Sequence, residues 1–104
     1  FLKFGNLSFN SSQRWWGSGL NHLPIELDIV AESTDKSTIM IGEVKWSNKI
    51  SVKEVFNKLM LKAGQLPFIK NRKIIYVLFL KYNVNHHVKD CFILTPDKIM
   101  NVLK

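Results

Sequence analysis

The sequence predicts an α/β domain, because strand-like and helix-like patterns alternate along it. Two apolar runs at residues 25–31 and 38–46 flank a segment rich in turn-forming residues, which indicates a β-hairpin. An amphipathic helix pattern follows over residues 51–66. Residues 74–80 then form a continuous apolar run, which is typical of a strand buried on both faces. We expect this strand to be central in the sheet.

The remaining elements are predicted from shorter signals. Residues 1–5 suggest the last turn of a helix, since apolar side chains lie near one face and glycine is a residue type that closes helices. An irregular strand is expected over residues 7–16. The capping box Ser51–Glu54 places the start of the main helix. A second short strand is expected at Cys91–Leu94, and Thr95 has the features of an N-cap for a final helix.

Composition favours one compact domain over residues 1–104 that binds a polyanion. The chain is 46% hydrophobic and 22% charged, with a formal net charge of +7, so nucleic acid is the favoured large partner. No apolar run is long enough for a transmembrane span. The single cysteine, Cys91, favours a reducing compartment, and we expect a cytoplasmic location. Because the chain starts at Phe1, we expect it to be a fragment of a longer protein.

Four charged residues interrupt the two strands of the predicted hairpin: Glu26, Asp28, Glu43 and Lys45. Residues two apart on a strand share a face. If the turn is centred between residues 35 and 36, the numbers of opposed residues sum to 71. Asp28 then lies across from Glu43, Glu26 lies across from Lys45, and all four side chains share one face.

This cluster has two interpretations. Opposed carboxylates repel one another, and a hard cation such as Mg²⁺ or Mn²⁺ would remove that cost. Lys45 would then position or help to deprotonate a water and stabilise charge on a phosphate, with Glu26 as an auxiliary acid. Alternatively, the four residues form an ordinary solvated strand face, since charged pairs across a hairpin are common.

Residues 26–30 (ELDIV) and 42–46 (GEVKW), followed by an amphipathic helix, resemble the PD-(D/E)xK, or restriction-endonuclease-like, nuclease superfamily. Within it, the sequence RWW at residues 14–16 and Trp46 resemble the uncharacterised C-terminal domain attached to archaeal-type AAA ATPases. The resemblance extends over almost the whole chain.

The resemblance implies a central mixed β-sheet flanked by helices, with the N-terminal helix truncated in this chain. It implies that Asp28 and Glu43 are metal ligands, that the Val44 carbonyl is a third ligand, and that Lys45 is the catalytic lysine. The implied activity is hydrolysis of DNA that depends on Mg²⁺ or Mn²⁺. The implied context is the C-terminal part of an ATPase chain.

Further residues are candidates for contacting nucleic acid. Arg14, Trp15 and Trp16 could form a stacking and phosphate-binding platform, although packing in the core is the alternative for the tryptophans. Lys49 and Lys53 belong to a basic surface that suits either a phosphate backbone or simple solubility. A homodimer through the tryptophans or an exposed strand edge is also possible. The alternative function is a non-catalytic module that binds nucleic acid or protein beside an ATPase.

Overall fold

The computed structural model describes residues 2–4, 7–47, 50–81 and 91–96. Seven strands and one helix occur in this part of the chain, in the order β1 (Leu2–Phe4), β2 (Leu7–Phe9), β3 (Gln13–Ser18), β4 (Pro24–Glu32), β5 (Thr38–Lys45), α1 (Val52–Gly64), β6 (Lys73–Leu80) and β7 (Cys91–Leu94). Strands β3 to β7 form one sheet in sequence order. Pairing is antiparallel from β3 to β5 and parallel from β5 to β7, so the predicted α/β class with a mixed sheet is confirmed.

The hairpin of β4 and β5 has the register that the sequence predicts. Ile29 pairs with Gly42 and Glu32 pairs with Ile39, so each pair of residue numbers sums to 71. Asp35 stabilises the connection, because one of its carboxylate oxygens accepts bonds from the Ser37 amide at 3.0 Å and the Ser37 hydroxyl at 2.7 Å. Strand β6 lies inside the sheet, as expected of a continuous apolar run, although β5 is the middle strand.

The predicted helix remnant at residues 1–5 is wrong. Leu2–Phe4 is a strand, and it pairs with Leu7–Phe9 in a separate antiparallel hairpin. The segment predicted as one irregular strand is two strands, β2 and β3. Phe9 is fully buried and packs with Ala31, Met40 and Val77 in a small cluster.

Helix α1 starts and ends close to the predicted positions. The Ser51 hydroxyl accepts a hydrogen bond from the Glu54 amide at 3.3 Å, which is the predicted N-cap. The helix buries four residues against the sheet: Val52, Phe56, Leu59 and Ala63. These residues join the larger core cluster with inward-facing residues of β4, β5 and β6. One face of the sheet is therefore covered by α1, which spans the crossover between the parallel strands β5 and β6.

Two sequence predictions lie partly or wholly outside the described residues. The polar loop over residues 81–90 is described only at Lys81, and the final helix only at its first residues, Thr95 and Pro96. Strand β7 has the predicted bounds. No helix formed by the described residues has the length and apolar character needed to cross a bilayer.

Candidate functional site

Two acidic side chains meet where β4 and β5 run side by side. The last backbone pair of the hairpin at this end is Ile29 with Gly42, and Asp28 and Glu43 are the next residues on the two strands. The two carboxyl groups are close enough for each to shift the pKa of the other. The Asp28 carboxylate is also held by the backbone of β5, because Asp28 Oδ2 accepts a hydrogen bond from the Val44 amide at 2.9 Å. The structure therefore brings together the two carboxylates that the sequence predicts as a pair.

An irregularity in β4 lies next to Asp28. Gln13 of β3 pairs with Val30, and Trp15 pairs with Leu27, so two steps on β3 match three steps on β4. Leu27 and Val30 consequently pack against the same core cluster, although residues three apart on a regular strand point to opposite faces. Such a bulge redirects side chains locally. Asp28 is one of the two residues between Leu27 and Val30, and its carboxyl group reaches Glu43 on the side of the sheet that α1 covers.

The prediction that all four charged residues share one face is wrong for Glu26. Glu26 lies between Ile25 and Leu27, and both of these neighbours are buried in the core beneath α1. The Glu26 side chain is therefore on the opposite face, where its carboxylate pairs with Arg14. The bulge separates the two acids of β4, because Asp28 lies beyond it and Glu26 before it.

A lysine of α1 completes the cluster. Lys62 Nζ lies 2.7 Å from Glu43 Oε1 and 2.8 Å from the backbone carbonyl oxygen of Glu26. The Glu43 side chain is only 9% exposed, whereas that of Lys62 is 36% exposed. The helix is therefore tied to both acid-bearing strands through one ammonium group.

Lys62 is not among the site residues that the sequence predicts. A signal for its role was present, because Lys62 lies seven residues after Val55 and four before Leu66. Both of these positions belong to the predicted apolar stripe. A lysine on such a stripe faces the sheet rather than solvent, and it needs an acidic partner there.

The two carboxyl groups have different proton affinities. Burial raises the pKa of Glu43, and the hydrogen bond to Asp28 raises it further, which outweighs the opposing effect of Lys62. Burial also raises the pKa of Asp28, but the hydrogen bonds from Glu43 and the Val44 amide, together with the charges of Arg14 and Lys45, lower it below its usual value. Asp28 is thus the more acidic member of a coupled pair.

The acidic pair lies beside a cleft of about 400 Å³ between β5 and α1. Glu43, Lys45, Ser51, Lys58 and Lys62 line it. Lys45 is exposed, and its charge acts on Asp28. The exposed Glu54 lines the cleft as well, so three lysines face two glutamates there. The lysines outnumber the acids, and the cleft is suited to an anionic ligand such as a phosphate.

The donor set is compatible with a Mg²⁺ ion. Magnesium is commonly bound by one or two carboxylates, with waters or substrate phosphates as the other ligands. Asp28 and Glu43 supply two carboxylates in contact, and a cation would relieve the cost of ionising both. The described residues contain no group of three or more Asp, Glu, His or Cys side chains that could hold a metal. The contact that Val44 makes here is through its amide, so a role for its carbonyl stays a prediction.

The predicted nucleic-acid residues do not form one platform. Trp15 is half-buried and contacts Phe68 edge-to-face at 5.2 Å, so it belongs to the core. Trp16 is 72% exposed, but it pairs with Glu26 and lies with Arg14 on the face opposite α1. Lys53 is exposed on the first turn of α1. Lys49 lies outside the described residues.

Comparisons with known proteins identify a family but no function. The model of the DUF234 family, described as archaeal and bacterial proteins of unknown function, matches residues 2–63. This match covers β1 to nearly the end of α1, and it includes Asp28, Glu43, Lys45 and Lys62. Neither curated proteins nor solved structures give a match.

Proposed function

The chain belongs to the DUF234 family, and we propose that it is a nuclease domain that hydrolyses DNA with the help of Mg²⁺ or Mn²⁺. The observation that carries this proposal is the contact between the Asp28 and Glu43 carboxyl groups beside a cleft lined by lysines. The hairpin strands, the acidic pair and the following lysine also support the resemblance to the PD-(D/E)xK superfamily and its restriction-endonuclease-like core.

The residues around the cleft would have different roles in the reaction, according to their positions. Asp28 and Glu43 would hold the cation, and the cation would supply charge neutralisation at the phosphate and a more reactive water. Lys45 lines the same cleft two residues after Glu43, so it can contact a non-bridging phosphate oxygen and stabilise the charge that develops there. Lys58, one helical turn from Lys62, would add a phosphate contact at the mouth of the cleft.

The test is a cleavage assay of plasmid and single-stranded DNA with Mg²⁺ or Mn²⁺. Asp28→Asn and Lys45→Ala should each lower the cleavage rate on the order of a hundredfold or more, as expected for loss of a group that stabilises developing charge. Glu32→Gln is the matched acidic control, since Glu32 also lies on β4 but pairs with Arg72 away from the cleft. Lys73→Ala, at an exposed position on β6, is the basic control. Cleavage unaffected by both site variants would contradict the proposal.

A second candidate function is favoured by Lys62. Because its ammonium group already pairs with Glu43, the acidic pair has a counter-ion without any metal, and the cluster would then serve to hold α1 on the sheet. The domain would be a non-catalytic module that binds nucleic acid or protein beside the rest of an AAA ATPase chain. DNA binding that weakens with salt, without cleavage under any metal condition, would favour this function. We expect the location to be cytoplasmic in either case.

A further inference from the structure

We propose that the Lys62 ammonium group is a built-in counter-ion that competes with a divalent cation for the Asp28 and Glu43 pair. This inference rests on the metal site of the proposed function. Helix α1 would then control the binding of the cation, because Lys62 extends from the helix and the two acids belong to strands of the sheet.

The geometry supports direct competition. Lys62 Nζ is 2.7 Å from Glu43 Oε1, which is the length of a strong charge-assisted hydrogen bond. The partner carboxylate is largely buried, so solvent and salt screen this interaction only weakly. A cation bound by Glu43 would therefore lie close to a positive charge, or Lys62 would have to leave.

Lys62 is held in place by a second contact, but its side chain is exposed enough to move. Its second contact, to the Glu26 carbonyl at 2.8 Å, fixes the ammonium group between the strands. Its side chain is nevertheless 36% exposed and lines the cleft. A flexible four-carbon stem allows the ammonium group to turn toward the cleft, where a bound phosphate would compensate for the lost contacts.

Removing the charge should have two opposite effects. Without metal, a Lys62→Met protein should melt at a lower temperature than the wild type, because Glu43 loses its partner inside the protein. With metal, it should bind more tightly, because the competing charge is gone. A residue with a purely structural role would lower stability without increasing metal affinity.

The experiment measures Mn²⁺ binding by the decrease of the free-ion paramagnetic resonance signal, together with melting temperature at each Mn²⁺ concentration. We expect the Kd of Lys62→Met to be about tenfold lower than that of the wild type, or about 1.4 kcal/mol. Lys62→Arg, which keeps the charge, should stay within about threefold of the wild type on the same scale. The difference in melting temperature should shrink or reverse as Mn²⁺ is added.

Lys58→Met is the matched control. Lys58 lines the same cleft, is exposed, and forms no ion pair within the described part of the chain. Its loss should change the Kd by less than about threefold, since an exposed charge is well screened. Lys62→Gln provides a second neutral variant if the methionine protein does not fold.

The outcomes separate this inference from the nuclease proposal. Equal or weaker Mn²⁺ binding by the neutral Lys62 variants would overturn the inference, and so would an absence of Mn²⁺ binding by every variant. An equal gain from Lys58→Met would also overturn it, because the effect would then be one of general charge. Tighter binding by Lys62→Met with no DNA cleavage by any variant would support the inference and refute the nuclease function.

Discussion

Gly42 lies where β5 passes very close to β6. It lies on β5 directly before Glu43 and pairs with Ile29 on one side and Val77 on the other. A Cβ atom at Gly42 would lie 2.6 Å from the Val77 carbonyl oxygen. Carbon and oxygen atoms do not approach so closely without bonding, and the clashing atom belongs to the backbone. Gly42→Ala therefore has to displace β5 from β6.

The cost can be estimated from the surroundings. The site is interior to the sheet, and an added methyl group in a well-packed interior costs about 1–3 kcal/mol. In a domain of this size, 1 kcal/mol lowers the melting temperature by roughly 4–8 °C, so the variant should melt roughly 4–24 °C below the wild type. Thermal unfolding followed by circular dichroism, with urea unfolding as a second measurement, gives this value. The metal binding that we propose should weaken as well, because Glu43 moves with the strand.

Gly64 provides the matched control, with the opposite sign. It is the last residue of α1, and a Cβ atom there would have no neighbour within 4 Å. Gly64→Ala should stabilise the protein by about 0.5–1 kcal/mol, since alanine favours the helix and restricts the unfolded chain. If Gly42→Ala unfolds within about 0.5 kcal/mol of the wild type, the tight approach of β5 to β6 is not a packing constraint, and the reasoning is refuted.

Two further predictions concern titratable groups. Hydrogen bonds from the Ser37 amide, and then from the Ser33 and Ser37 hydroxyls, lower the pKa of Asp35 from 3.8 to about 2. The ionised side chain therefore stabilises the folded protein fully at a pH above its pKa in the unfolded chain, and this stabilisation is lost as the pH falls through about 2. Asp35→Asn should thus melt below the wild type at about pH 6 and match it near pH 2, and a constant difference across this range would contradict the assignment. Burial raises the pKa of Cys91 from 9.0 to about 11. Because the thiolate is the reactive form, the native thiol should react with a disulfide reagent roughly a hundredfold more slowly than the thiol of the unfolded protein in urea. Similar rates in the two conditions would show that the thiol is not protected.

Local signals account for what the sequence predicts well. The cap at Ser51, the helix that follows it and the bounds of β7 depend on neighbouring residues alone. The register of β4 and β5 follows from a short turn. The first hairpin was missed because apolar residues before Gly5 fit the end of a helix as well as a strand. A three-residue strand carries too little periodicity to distinguish the two.

The candidate site was predicted in part, and the errors have one physical origin. The pairing of Asp28 with Glu43 depends only on the hairpin, so the sequence was sufficient for it. The face of the sheet on which the Glu26 side chain lies depends on the bulge, and the bulge exists only where β3 pairs with β4. Regular alternation along β4 would instead place Glu26 and Asp28 on the same face. Lys62 was missed for a similar reason, because its partners become visible only when α1 packs across the strands.

The bulge and Lys62 act on the same few atoms. The bulge separates the side chains of Asp28 and Glu26, and the Glu26 carbonyl accepts a hydrogen bond from Lys62. The two carboxylates therefore meet at a point where one ammonium group reaches both β4 and β5. Bringing two acids together without a counter-ion would be costly, and Lys62 lowers that cost in the folded protein. In the function that we propose, this preassembled pair would exchange the ammonium group for a metal ion without refolding.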